Sequence, residues 1–436
     1  MSNLLESDRK HIWHPYTQHA TEQAPVVISH AHGATLVSDE GQEILDLVSS
    51  WWTCVHGHAH PELNAALAKQ AGQMEHVMFG GFTHAPAIRL AEGLSAILPG
   101  SLSRVFYSDN GSTSIEVALK LAYQYWRNRG EDKRRLFLAF EGAYHGDTLG
   151  AMSVGRGCGF FSLFEGLMCE VRPLPFAATF EGDEEIETSE ARALGVIDAL
   201  LAESGQEAAA LIVEPLMQGV SGMRLCRPQF LKAVVERARA AGLLVIFDEV
   251  ATGFGRTGKM FALDHIGFEP DLVCLSKGLT SGYMPLAATV AREEIFQEFL
   301  GEGFEKALPH GHTFTANPLA CAVALRSLEL FAEENTMARV VHITARHKEK
   351  LEELKGHPRV SQPRTLGTLL AFDLKGSAQD YKSDESESLR DWYIANGLNI
   401  RPLGPSVYLM PPYCISESEL DRAYEGLLAG LSALDG

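Results

Sequence analysis

Two side chains of this 436-residue chain can do chemistry together. Asp248 ends the apolar run LLVIFD, and Lys277 follows the apolar run DLVCLS 29 residues later. That separation fits one strand–helix unit, so the two can stand on neighbouring strand ends. A lysine behind a buried strand loses hydration, its pKa falls, and it becomes able to form a Schiff base. A carboxylate beside it can hold a pyridinium nitrogen, which is the pairing that pyridoxal phosphate requires. Taken alone, Asp248 is equally a helix cap or half of an ion pair.

Gly111 and Ser112 open a predicted helix after VFYSDN. A helix start offers phosphate free N–H groups and a favourable dipole, though the same residues also read as a plain cap. Tyr144 and His145 follow the next strand in EGAYHGDT. An aromatic there either stacks on a flat ring or fills the core. Two other patterns are weaker. Gly253, Gly255 and Gly258 in GFGRTG match G-x-G-x-x-G, but DEVAT separates them from the strand and FALDHIGFEP is a poor helix to follow. A nicotinamide site is therefore not expected. His56, His58 and His60 in HGHAHP would share one face of a strand, but Gly57 and Pro61 favour a turn, so no metal is expected.

The elements that must position these residues are short apolar runs with helical patterns between them. Five runs end in Ser108, Glu141, Glu214, Asp248 and Lys277. They predict an α/β fold with a mostly parallel sheet covered by helices on both faces. Ligands of such sheets sit beyond the carboxyl ends of the strands, so the recurrence points to one shared site. From about 331 the pattern changes. One long helical stretch, SLELFAEENTMARVVHITARHKEKLEELK, leads into the strand-like pieces TLLAFDL and SVYLMPPY. The expected division is a large cofactor-binding domain over 50–330 and a smaller α+β domain over 1–49 and 331–436, with VVISHAHGATLVSDEG joining the latter.

Composition narrows the partners. Apolar residues make up 46%, enough for a large core, and the formal net charge is −19. Such an acidic chain is repelled by nucleic acid and by anionic membrane surfaces. The seven cysteines are widely spaced with no C-x-x-C, which reads as reduced thiols in a cytoplasmic protein. MSNLLESDRKHIWHPY has no apolar leader core, and no apolar stretch is long enough to span a membrane.

The segment FDEVATGFGRTGKMFALDHIGFEPDLVCLSKGL, with GSTSIEVALKLA and HGHTFTANPLA, resembles the class III aminotransferases of the fold type I pyridoxal-phosphate enzymes. The resemblance covers essentially the whole chain. It implies that Lys277 binds the cofactor covalently, Asp248 holds its pyridine nitrogen, Gly111 and Ser112 bind its phosphate, and Tyr144 stacks on its ring. It also implies a homodimer in which Thr313, beside His312, reaches the phosphate of the neighbouring subunit. HIWHPYTQ, SSWW, HVMFGGFTHAPA, YHGDT, IRPLG and YLMPPY are similar to the biotin-pathway branch of that class. That similarity implies amino transfer from S-adenosylmethionine to 8-amino-7-oxononanoate, or the same transfer with lysine as donor. The substrate pocket would then be lined by Tyr16, Trp51, Trp52, Tyr144, Asp147, Lys277, Gly311, Arg401 and Tyr408, with Tyr16 also taking part in catalysis. Aromatic walls suit a long alkyl chain, and an arginine fork suits its terminal carboxylate. If SSWW is a strand, its two tryptophans face opposite sides, one core and one pocket.

Two departures stand out. Relatives acting on ω-amino acids carry a glutamate shortly after the Glu-Pro of the third run. This chain has Gly219 or Val220 there, which weakens that alternative. His312 stands where the biotin-pathway branch has proline.

Overall fold

The computed structural model describes residues 3–156, 161–377 and 384–434; Cys158 lies outside them. Seven strands form the central sheet: β1 (Leu102–Ser108), β2 (Leu136–Phe140), β3 (Val171–Leu174), β4 (Ala208–Val213), β5 (Leu244–Asp248), β6 (Leu272–Leu275) and β7 (Ala287–Arg292). Their order is β1-β7-β6-β5-β4-β2-β3. All run in one direction except β7, which is antiparallel to both β6 and β1. Side chains alternate between the two faces of a strand. Leu211, Val213, Val245 and Phe247 enter one buried cluster, while Ile212 and Ile246 enter the other. Both faces being covered, the strands read as unbroken apolar runs.

The five expected runs are β1, β2, β4, β5 and β6. β3 and β7 are not among the expected runs. β3 is four residues long and contains Pro173, which a strand tolerates at the sheet edge. β7, AATVAR, begins with small residues that give little strand signal.

Helix α1 (Gly111–Asn128) packs Ile115, Ala118, Ala122 and Trp126 onto the sheet. The single long helical stretch expected after 326 is instead two helices, α2 (Pro318–Glu333) and α3 (Thr336–Leu354). They part at Asn335, whose φ of 50° is left-handed; asparagine tolerates that conformation better than most residues. The chain ends meet in a four-stranded sheet, where Glu43–Asp46 pairs in parallel with Leu398–Asn399.

SSWW is not a strand. Ser49, Ser50, Trp51 and Trp52 all have positive φ, from 47° to 70°, and form a left-handed turn. Such a turn costs about 1–2 kcal/mol per residue, so it needs external anchors. Asp46 supplies two, accepting from Ser50 N at 3.0 Å and Ser50 Oγ at 2.7 Å, and Ser49 Oγ donates to Met410 O at 2.7 Å. The turn, rather than strand alternation, leaves Trp51 44% exposed and Trp52 6% exposed.

The three clustered histidines go to three separate partners. His56 Nε2 is 3.0 Å from Ser327 O, His58 Nε2 2.9 Å from Asp46 Oδ2, and His60 Nε2 3.0 Å from Glu334 Oε1. No helix among the described residues is long and apolar enough to cross a membrane.

His347 is buried between Tyr424 OH, 2.7 Å from Nδ1, and Thr368 O, 3.0 Å from Nε2. Burial pushes His347 and His56 down to about 4. Between pH 6.5 and 4 the folded state therefore binds fewer protons than the unfolded chain. The stability these histidines contribute is present above 6.5 and is lost as pH falls, by at most about 3 kcal/mol each. Urea unfolding at several pH values should show this fall, and His347→Gln should make it shallower. An unchanged slope would contradict the account.

Candidate active site

The loops beyond the carboxyl ends of the parallel strands enclose a cavity of about 650 Å³. Ten of the residues expected at a site line it: Tyr16, Trp51, Trp52, Gly111, Ser112, Tyr144, Asp147, Asp248, Lys277 and Tyr408. Of the five strand-end residues expected to share it, only Glu214, Asp248 and Lys277 do. Ser108 is buried away from the cavity wall and Glu141 is exposed. After β1 and β2 the chain reaches the cavity a few residues later, at Asn110–Ser112 and Tyr144–Thr148.

Lys277 follows β6 with a left-handed φ of 47°, a strain that persists only where its surroundings fix it. Its Nζ lies 4.3 Å from the centre of the Trp52 ring. Burial lowers the amine to about 8, although Asp248 and Glu214 pull it upward. A useful share is then free base near neutral pH. Asp248 ends β5. Its Oδ2 is 2.7 Å from His145 Nδ1, and its Oδ1 accepts from Val250 N at 3.1 Å. Glu214, just beyond β4, is buried and accepts from Tyr144 N at 2.9 Å and Gly219 N at 3.1 Å. Burial pushes its carboxyl up to about 7; His145 pulls it down and Asp248 pushes it up.

The start of α1 is capped reciprocally. The Asn110 side chain accepts from Thr113 N at 3.1 Å, and Thr113 Oγ1 accepts from Asn110 N at 3.0 Å. Ser114 N is bonded to Asn110 O. Gly111 and Ser112 are left as N–H donors for an anion. Close approach is built in, because a Cβ on Gly111 would lie 2.7 Å from Val250 Cγ1 and one on Gly146 would collide with Ser112 Oγ.

Tyr16 and Tyr144 share one carboxylate. Tyr16 OH donates to Asp147 Oδ2 at 2.5 Å and Tyr144 OH to Oδ1 at 3.0 Å, with the hydroxyls 3.3 Å apart. Burial, then Tyr16 and Asp147, pushes the Tyr144 phenol well above its ordinary range, so it stays a donor. Tyr16 meets Trp51 edge-on at 6.3 Å, and Trp52 Nε1 donates to Tyr408 OH at 3.1 Å. A Cβ on Gly219 would lie 3.1 Å from Trp52 Cη2, so that indole holds the space a side chain at 219 would need.

Four expected site residues are placed elsewhere. Arg401 does not line the cavity; its guanidinium carbon is 5.6 Å from the Trp51 ring centre. Gly311, His312 and Thr313 lie on a segment between β7 and α2 and do not line the cavity of their own chain. His312 Nδ1 is 2.7 Å from Asp109 Oδ2. The GFGRTG loop is a packing element. Gly255 and Gly258, both with φ of 95°, approach Tyr413 and Gly367, and the buried Glu249 accepts from Ala262 N and Leu263 N. Burial raises Glu249 to about 7.

Val250 is a cavity residue that the sequence alone does not single out. It lies two residues past Asp248, and period-two alternation could have placed it on the same side. The contacts of His145 and Glu214 had no sequence signal, because their partners are 103 and 70 residues away.

The chain matches the class-III aminotransferase family over residues 16–431. It is 47% identical to the adenosylmethionine-8-amino-7-oxononanoate aminotransferase of Synechococcus elongatus, over 96% of this chain and 97% of that one. It is 40% identical to the enzyme of the same name from Geobacter sulfurreducens, over 99% and 98%. Among solved structures, the one of that name from Methanocaldococcus jannaschii is 34% identical with a TM-score of 0.92, covering 99% of this chain and 98% of that one. An amine transaminase from an uncultivated Pseudomonas species, in its PLP-bound form, is 30% identical with a TM-score of 0.91, covering 97% and 99%.

Proposed function

The chain belongs to the class-III aminotransferase family of pyridoxal-phosphate enzymes, and we propose that it moves the amino group of S-adenosylmethionine onto 8-amino-7-oxononanoate, giving 7,8-diaminononanoate in biotin biosynthesis. The observation that carries this reading is one cavity with Asp248 at the end of β5, Lys277 just beyond the end of the adjacent parallel strand β6, and an aromatic wall of Tyr16, Trp51, Trp52 and Tyr144. Relatives of that name matching nearly the full length support the substrates.

The residues present fit the cofactor. The free N–H groups of Gly111 and Ser112 suit its phosphate, and the absent Cβ atoms of Gly111 and Gly146 leave the approach open. Tyr144 and Val250 both line the cavity and suit the ring. When bound, pyridoxal phosphate supplies the carbon that carries the amino group between substrates and a ring that accepts electrons. The Asp248 carboxylate would hold a proton at the ring nitrogen. The Lys277 amine would hold the cofactor, and as free base it would take a proton at the substrate α-carbon and return it as acid. Tyr16 and Tyr144, tied together through Asp147, orient the incoming amine.

The donor reading rests on the aromatic wall. Tyr16 and Trp51 offer faces for adenine stacking and a cation–π contact with the sulfonium, worth about 0.5–2 kcal/mol each. Lysine, the alternative donor, has no ring to stack. Tyr16→Ala should therefore weaken apparent S-adenosylmethionine binding about 10-fold, read from single-turnover loss of the visible cofactor band. An unchanged affinity would remove the stacking role from Tyr16. The active unit in this reading is a cytoplasmic homodimer. Gly311, His312 and Thr313 reach the neighbouring cavity, and the exposed Met78, Phe82 and Phe314 provide apolar surface to be covered. Arg401, whose guanidinium carbon lies 5.6 Å from the centre of the Trp51 ring, takes the acceptor's carboxylate.

A further inference from the structure

His145 has a geometry that the reaction as described does not use. Its side chain is fully buried, its Nδ1 is 2.7 Å from Asp248 Oδ2, and its Nε2 has no partner among the described residues. A carboxylate only accepts, so Nδ1 is the nitrogen that donates. The other Asp248 oxygen is taken by Val250 N at 3.1 Å, so the carboxylate is held by a donor on each oxygen. His145 also sits in a loop pinned to other elements. Tyr144 N donates to Glu214, Asp147 N to Ser112 Oγ, and Tyr16 OH to Asp147. The His145–Asp248 contact joins that loop to the end of β5.

We infer that His145 is a positioning residue for amino transfer: its Nδ1–H fixes the plane of the Asp248 carboxylate and ties it to the Tyr144 loop, so that the ring-nitrogen partner and the ring-facing tyrosine move as one unit. The inference rests on the reading of Asp248 as the partner of the cofactor's ring nitrogen.

The test compares His145→Asn, whose amide N–H falls near the Nδ1 position, with His145→Leu, which fills the space without a donor. His145→Gln places its amide nearer the Nε2 position and serves if the leucine variant does not fold. Two quantities are read besides turnover: pyridoxal phosphate affinity of the apo-protein by equilibrium dialysis, and the pH midpoint of the visible band of the reloaded enzyme. Leucine and glutamine should weaken cofactor affinity and slow the donor half-reaction about 10- to 100-fold and move the midpoint, while asparagine stays within about 3-fold of the original on both counts. Cofactor affinity and band midpoint left at the original values by leucine or glutamine would overturn the inference, as would an asparagine variant as impaired as the others. Asp248→Asn is measured alongside. If it leaves affinity and band unchanged, the reading of Asp248 itself fails. If it changes them and the His145 variants do not, Asp248 stands and His145 has no positioning role.

Discussion

Lys277→Ala is expected to lower turnover by about 10⁴-fold while leaving a folded protein that still takes up pyridoxal phosphate. Proton transfer by a placed side chain contributes about 10²–10⁴-fold, and the same amine is also the covalent anchor, so its removal deletes two functions at once. Binding survives because the N–H groups of Gly111 and Ser112, the Asp248 carboxylate and the Tyr144 loop belong to other elements. Folding survives because burial already disfavours the charged amine, which it lowers to about 8. Borohydride reduction and peptide mapping of the unsubstituted protein should place the tag on Lys277. A tag on Lys259, or a Lys277→Ala protein within about 10-fold of full turnover, would contradict the assignment.

Asp248→Asn should be the next most damaging change, at about 10²–10³-fold in kcat, the usual scale for losing one group that stabilises developing charge. Shape is nearly preserved, so a cavity effect cannot account for the loss. The charge is removed, and the amide group now faces two donors, His145 Nδ1–H and Val250 N–H, where the carboxylate had two acceptors. Steady-state kinetics on the reloaded variant, with circular dichroism to confirm folding, decides this. Near-normal kcat would sink the role.

Much of this site is legible because a parallel sheet puts its strand ends together. The runs before Asp248 and Lys277 are buried on both faces, and a charged residue follows each. The same logic over-reached at Ser108 and Glu141, where the chain continues past the strand before turning to the cavity. It failed at Ser49–Trp52, since four consecutive left-handed residues have no propensity signal and depend on Asp46 and Met410. β7 escaped because its small residues carry little strand preference. The contact of Tyr16 with Asp147 spans 131 residues and follows from no local pattern. Thr313 is a different case, since its expected partner site belongs to a second chain and no amount of local reading brings it to the cavity of its own.

Product formation decides whether this chain carries out the proposed transfer. Purified protein with pyridoxal phosphate and 8-amino-7-oxononanoate is given S-adenosylmethionine or lysine as sole donor, and the products are followed by mass spectrometry. The expected result is 7,8-diaminononanoate with S-adenosylmethionine and little or none with lysine. Product with lysine alone would contradict the donor, and no product with either donor would contradict the proposed reaction.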